Sequence, residues 1–298
     1  MAFVLKFERD PGSEVLALLH AELDSARALL SASPAERTAW RNGIHDARRA
    51  MRRMRTLLRL LPATATHAAV LAHLRAAGQA LSPLRDAQSL PETVVWLQRR
   101  QPAVLGSAHA DLLAHLLQRL RRIERAQAGH PVVAAQALQA VDTLLADCSA
   151  TIATEAVWAA IRHGSARAAR AARAACTGND ESALHRWRRR AREHALQLEL
   201  VGRCWPAVLS AQVAEHKRLA RQLGQLRDLA LLQRQLRVMR RETLGRLQRQ
   251  SLIERLYVAR ATLRAEAVAL GALVHAESPR RLAARIAAYH AAGPHAAD

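Results

Sequence analysis

The sequence predicts an all-α protein, and three observations carry that reading. Alanine, leucine, arginine and glutamine, all good helix formers, dominate the 298 residues. Apolar residues recur at i, i+3, i+4 and i+7, as in Leu16, Leu19, Leu23 and Leu30 or in Leu113, Leu116, Leu117 and Leu120. No segment alternates apolar and polar residues in the manner of a half-buried strand. Half of the chain is hydrophobic, so it can bury a core and is not disordered by composition.

Breakers then set the elements in order. Pro11–Gly12 opens the first helix, Ser33–Pro34 separates it from a basic helix around 45–55, and Pro62 comes after that one. Pro91, Pro102–Gly106 and Gly129–Pro131 divide the next stretch, and Thr177–Ser182, Pro206 and Pro279 divide the rest. Roughly ten helices result, several of them long, which implies packed bundles. A short tail from Gly293, residues 293–298, is expected to be flexible.

Two of these helices carry the same device. Residues 45–55 open with a histidine and place arginines at its i+3, i+7 and i+10; residues 185–192 open with His185 and repeat arginines at i+3 and i+7. At about 100° per residue, His45, Arg48, Arg52, Arg55 and Arg59 fall within a sector of roughly 80°. Downstream, Leu81–Leu90 matches Leu223–Leu232 at five of ten positions, Leu-x-x-Leu-Arg-Asp included. His45 to Arg85 is 40 residues and His185 to Arg227 is 42. This collinearity argues for two bundles of one topology joined somewhere in 130–160.

The charge says what such faces meet. Net charge is +20 and lysine occurs only at Lys6 and Lys217, so almost every cation is a guanidinium. Nucleic acid, anionic lipid or a phosphate polymer therefore suits the chain better than an acidic protein, and guanidinium matches paired phosphate oxygens well. The stripes carry no interleaved glutamate, and like charges at i+3 and i+4 repel, which makes a purely solubilising role a poor explanation. Cys148, Cys176 and Cys204 are odd in number, widely spaced and outside any CxxC, and read as reduced thiols of a cytosolic protein. The N-terminus turns charged too early for a signal peptide, and no apolar run approaches the roughly 18 residues that would cross a bilayer. The expected setting is soluble and cytoplasmic, with no membrane partner.

Catalytic motifs are poorly represented. Arg162-His163-Gly164 imitates a histidine phosphatase triplet, but that chemistry needs the end of a buried strand, and here the triplet sits among Ala-rich helical residues. His45-Asp46, with His20 and Asp86, could imitate the metal site of an HD phosphohydrolase. The surrounding arginines would repel a divalent cation, and Arg186 replaces the acid in the second copy. No Gly-rich phosphate loop, nucleophile elbow or paired zinc ligands appear. The expectation is a protein that is not an enzyme and has no metal and no cofactor.

His45-Asp-x-Arg48-x-x-x-Arg52-Arg53-x-Arg55-x-x-x-Arg59 resembles the signature of the CHAD domain, a helical domain named for its histidines. His185-x-x-Arg188-x-x-x-Arg192, with Glu199 seven residues on, resembles its second half. Both Leu-x-x-Leu-Arg-Asp segments resemble the family's next conserved stretch in each half. The likeness spans roughly residues 12 to 290. It implies two tandem four-helix-bundle repeats related by a pseudo-twofold, at 12–147 and 150–290, with the basic helices lining a central cavity. It also implies binding of inorganic polyphosphate without catalysis, in the cytoplasm and at polyphosphate granules. The residues carried over as ligand-facing are His45, Arg48, Arg52, Arg53, Arg55, Arg59, His185, Arg188, Arg189 and Arg192, with Lys217 and Arg221 on the following helix. Where the family continues with Arg-Tyr after the position of Arg192, this chain has Ala195-Leu196, so the second half is expected to grip fewer phosphates.

Neighbouring guanidiniums should disfavour protonation of His45 and His185, and a bound polyanion should restore it. Asp86 and Asp228 suit either of two jobs, capping a helix or orienting a nearby arginine. Trp187, inside the second basic run, reads as a packing residue. The competing partner is nucleic acid, which +20 would serve equally well. Aromatics make up only 3 % of the chain, too few for a base-stacking platform, and no recognition helix is apparent.

Overall fold

A computed structural model describes residues 3–33, 35–178, 180–239 and 244–293. The described residues are all-helical. Beyond Gly293 the expected tail lies outside them, as does Pro34 of the first breaker.

Sequence chemistry accounts for most helix ends. α1 (Pro11–Leu30) starts with proline at its first position and with the Asp10 carboxylate accepting from the Ser13 amide at 2.8 Å. α2 (Arg37–Leu57) is the first basic helix, and α3 (Ala65–Ala80) is capped by Thr64, whose hydroxyl accepts from the His67 amide. α4 (Ser82–Arg100) runs straight through Pro91, which the sequence marks as a breaker. Pro91 is buried and flanked by the buried Leu90 and Val94, and that packing outweighs the roughly 3 kcal/mol cost of an interior proline. The single turn α5 (Pro102–Leu105) leads through Gly106 to α6 (His109–Ala126) and α7 (His130–Leu145).

α8 (Thr154–Thr177) and α9 (Glu181–Leu200), the second basic helix, form a hairpin in which the Asp180 carboxylate accepts from the Ser182 amide. α10 (Pro206–Val238), α11 (Arg246–Val274) and α12 (Pro279–Ala291) complete the chain, α10 and α12 each beginning at a predicted proline.

Several helix pairs recur in order: α1 packs on α2 and α8 on α9, α4 on α6 and α10 on α11, α7 on α1 and α12 on α8, while α2 meets α9; the close packing of α9 on α10 and of α3 on α7 has no comparable counterpart. Two hydrophobic cores result, and each draws on both halves of the sequence. One gathers Leu19 and Leu23 of α1, Met51 and Met54 of α2, Leu74 of α3 and Leu138 of α7, but also Ile161 of α8, Leu198 of α9, Leu209 of α10 and Ile286 of α12. The other joins Val94 of α4 and Leu112 of α6 to Trp187 of α9, Leu229 of α10 and Leu256 of α11. Trp187 is 1 % exposed, as its packing role requires. Its indole occupies the space over Gly271, where a Cβ would come within 2.5 Å of Cζ2, so α9 and α11 approach closely only because position 271 is glycine.

Candidate functional site

Where α2 faces α9 the inward faces of both helices are arginine. Their opposite faces are apolar (Ala47, Ala50 and Met54 on α2; Ala183, Trp187 and Ala191 on α9) and go into the cores, which forces the charged stripes toward each other. Between them lies a cleft of about 550 Å³. Arg48, Arg52, Arg55 and Arg59 line one wall, and His185, Arg188, Arg189 and Arg192 the other. These eight are all residues singled out in the sequence.

Some of the guanidiniums are held in place by neutral groups. Arg48 donates to the Gly78 carbonyl and, at 3.1 Å, to Ser82 Oγ, both at the junction of α3 and α4. Its counterpart Arg188 lies flat against Gly224 of α10, where a Cβ would come within 3.3 Å of the guanidinium. Ser82 and Gly224 occupy the same place in the two Leu-x-x-Leu-Arg-Asp segments, so each basic helix rests its first arginine on the same position of its repeat. Arg55 Nε donates to the Met51 carbonyl of its own helix at 3.2 Å.

Among the described residues the guanidiniums of Arg52, Arg188 and Arg192 form no ion pair or hydrogen bond. Burial pushes Arg52 down to about 9, with Arg48, Arg55, Arg188 and Arg85 adding repulsion. Burial likewise drives Arg192 well below the ordinary guanidinium value, helped by Arg188 and Arg52, and lowers Arg48 and Arg59 to about 10. The cleft is thus a cluster of like charges at close quarters, with Asp228 acting on Arg192 from beyond ion-pair distance.

Both histidines face the same field. His185 is lowered by desolvation and then by Arg188, Arg227, Arg189 and Arg192. His45 is lowered by desolvation and then by Arg85 and Arg52, but it stands one turn before Arg48 at the solvent-exposed approach, not in the cleft wall.

Other predicted residues lie elsewhere. Arg53 points to the far side of α2, donating to Glu22 at 2.9 Å, standing 3.6 Å from Glu199 and covering the Phe3 ring. One helical step of about 100° from Arg52 takes it out of the stripe. Lys217 pairs with Glu199 at 2.9 Å, so Glu199 ties α2, α9 and α10 together on that side. Arg221 is exposed on α10 and takes no part in the cleft wall. Asp86 and Asp228 cap nothing, since α4 begins at Ser82 and Asp228 is deep in α10. They do orient an arginine: Arg227 Nη2 donates to Asp86 at 2.6 Å and Arg227 Nη1 reaches Asp228 at 3.4 Å.

The sequence reading missed Arg75 of α3, Arg190 and Glu193, all in the cleft wall. Arg75 is an isolated residue with no pattern to reveal it. Glu193 directly follows Arg192 and overturns the idea of a stripe without glutamate. It is 8 % exposed and accepts from Arg167 at 2.9 Å and Arg190 at 3.0 Å, with Arg59 also on its carboxylate. Among the described residues no cluster of His, Cys, Asp or Glu has a metal-binding arrangement, and no helix is long and apolar enough to cross a membrane.

Comparison with known proteins gives the family and the fold. The family described as the CHAD domain matches residues 23–237. A crystal structure of the CHAD domain from the plant Ricinus communis superposes with a TM-score of 0.63 at 19 % identity, covering 93 % of this chain and 96 % of that one. That likeness is one of fold. No curated protein sequence matches the chain.

Proposed function

The chain belongs to the CHAD domain family, and from that premise we propose that it binds inorganic polyphosphate in the cleft between α2 and α9. One observation carries the proposal: Arg52 and Arg192, one from each wall, are half-buried among further arginines and their guanidiniums form no ion pair or hydrogen bond among the described residues. Holding such charges together costs stability in the empty protein, and a polyanion is the ligand that would relieve it. A phosphate polymer supplies charge at every unit with oxygens in pairs, which guanidinium forks accept bidentately. The guanidiniums that dominate the lining neither attack phosphorus nor take a proton near neutral pH, and the one carboxylate, Glu193, is taken up by arginines, which favours binding over catalysis. The recurring helix pairs and the equivalent seats of Arg48 and Arg188 support two tandem halves, 12–147 and 150–290, with the cleft between them. The setting we infer is the cytoplasm, at polyphosphate granules.

Calorimetric titration with long-chain polyphosphate over a range of salt tests this. Six arginine contacts would give a slope of log K against log salt near −4, at roughly 0.7 per contact for a flexible single strand. Polyphosphate should also displace single-stranded nucleic acid at a much lower phosphate-equivalent concentration. Salt-independent affinity, or displacement of polyphosphate by nucleic acid at equal phosphate, would refute the proposal.

A further inference from the structure

Among the described residues, Glu193 is the one carboxylate in the cleft wall. Its oxygens are taken up by Arg59 from the turn after α2, Arg167 from α8 and Arg190 from α9. A carboxylate gripped by three guanidiniums from three elements occupies the position an incoming phosphate would take. The positive charge does not stop there. Arg190 feels Arg167, Arg189 and Arg170, and Arg59 feels Arg167, Arg190 and Arg189. Arg170 is exposed one helical turn beyond Arg167. A cationic track therefore runs out of the cleft, past Glu193 and onto α8.

Resting on the polyphosphate reading, we propose that Glu193 is a built-in counter-anion dividing this track in two. The inner segment, Arg48, Arg52, Arg188 and Arg192, is open to any polyphosphate. The outer segment, Arg59, Arg190, Arg167 and Arg170, is engaged only by chains long enough to displace the Glu193 carboxylate.

The physics favours length selection. A short anion seated on the inner arginines gains nothing from Glu193, because a second, separate anion would bear its own association entropy to replace a carboxylate already in place. The trailing part of a long chain is tethered beside Glu193 at high effective concentration and brings several phosphates against one carboxylate. Glu193 thus turns chain length into affinity.

The test compares the full-length wild type, Glu193→Gln and the double variant Arg167→Gln/Arg170→Gln. Each is titrated with tripolyphosphate and with long-chain polyphosphate at several salt concentrations. Glu193→Gln should open the outer segment to short anions, so that a second tripolyphosphate binds per chain, while the long chain, which already engages that segment, tightens by about tenfold with its salt slope changed by no more than about 0.7. The double variant should weaken the long chain by about tenfold and flatten its slope, with a smaller effect on tripolyphosphate. If Glu193→Gln leaves tripolyphosphate binding once per chain with unchanged affinity, or weakens the long chain, Glu193 is only a brace between α2, α8 and α9 and the division is wrong. Should Glu193→Gln fail to fold in a thermal melt, the double variant decides: equal loss for both lengths refutes the outer segment. Failure of the wild type to bind either ligand would instead bring down the polyphosphate reading itself, and the length gate with it.

Discussion

Arg227 of α10 donates to the carboxylate of Asp86 of α4 at 2.6 Å, joining the second copy of the Leu-x-x-Leu-Arg-Asp segment to the first. The link is not reciprocal, since Arg85 turns to Glu92 at 2.8 Å instead. The crossing holds Arg227 close enough to bear on His185 and Arg188, and so places a fixed charge beside the cleft.

A double-mutant cycle measures that link. Asp86 is 40 % exposed, so solvent screens the pair, and the coupling between Asp86→Asn and Arg227→Gln in urea unfolding should be about 0.5 kcal/mol. A coupling near zero would mean that the contact orients Arg227 without stabilising the fold.

Arg192→Met should separate binding from stability. Removing a half-buried guanidinium that forms no ion pair and sits among like charges is expected to raise the melting temperature of the empty protein, by about 1 kcal/mol of stability. Affinity for long-chain polyphosphate should fall by about tenfold and the salt slope flatten by roughly 0.7. A melting temperature that falls instead would show that the guanidinium is stabilised in the unliganded cleft.

Binding should take up protons. His45 is depressed by burial and then by Arg85 and Arg52, with Asp46 and Glu92 opposing; His185 is depressed by burial and then by Arg188, Arg227, Arg189 and Arg192. A polyanion neutralises those arginines and raises both imidazoles, so affinity should be a few-fold higher at pH 6 than at pH 8. Titration in buffers of different ionisation enthalpy would read the uptake, and His45→Gln/His185→Gln should abolish the difference.

A second set of histidines makes the fold acid-sensitive. His194, His216 and the half-buried His275 meet edge to face, with ring centroids 5.0 and 6.2 Å apart. Burial drives His194 down to about 3 and His275 to about 4, and lowers His216, with Gln197, Glu215 and Arg173 as the surrounding polar groups. The unfolded chain binds protons from about pH 6.5 downward and the folded chain does not. Stability is therefore complete above that pH and is lost as pH falls from 6.5 toward 3. At pH 4, His194 alone should account for about 3 kcal/mol, and His194→Leu should flatten the urea midpoint between pH 7 and pH 4.

Much of this was legible in the sequence, for reasons that differ by residue. Helices and their ends derive from periodicity, prolines and caps, which act within one turn. The cleft walls were visible because Arg48, Arg52, Arg55, Arg188 and Arg192 repeat at helical spacing, and a stripe of like charge has few other uses. Arg53 was carried over from the family pattern against its own helical angle, and its partner Glu22, distant in sequence, explains it. Arg75 and Glu193 carry no periodic signal; the fold alone brings them into the cleft. Pro91 shows the limit of local rules, since burial from α6 and α10 overrides it. The way both cores draw on both halves is a tertiary fact that no local pattern records.

That last arrangement bears on how the molecule can be taken apart. α8, α9 and α10 each contribute to the two interiors. A chain cut in the segment between α7 and α8 would leave both pieces with greasy faces and no complete interior. Expressed alone, each piece should be insoluble or molten; produced together, they should find each other and restore the fold. The arginine-walled cleft is therefore indivisible, although its sequence reads as one motif written twice.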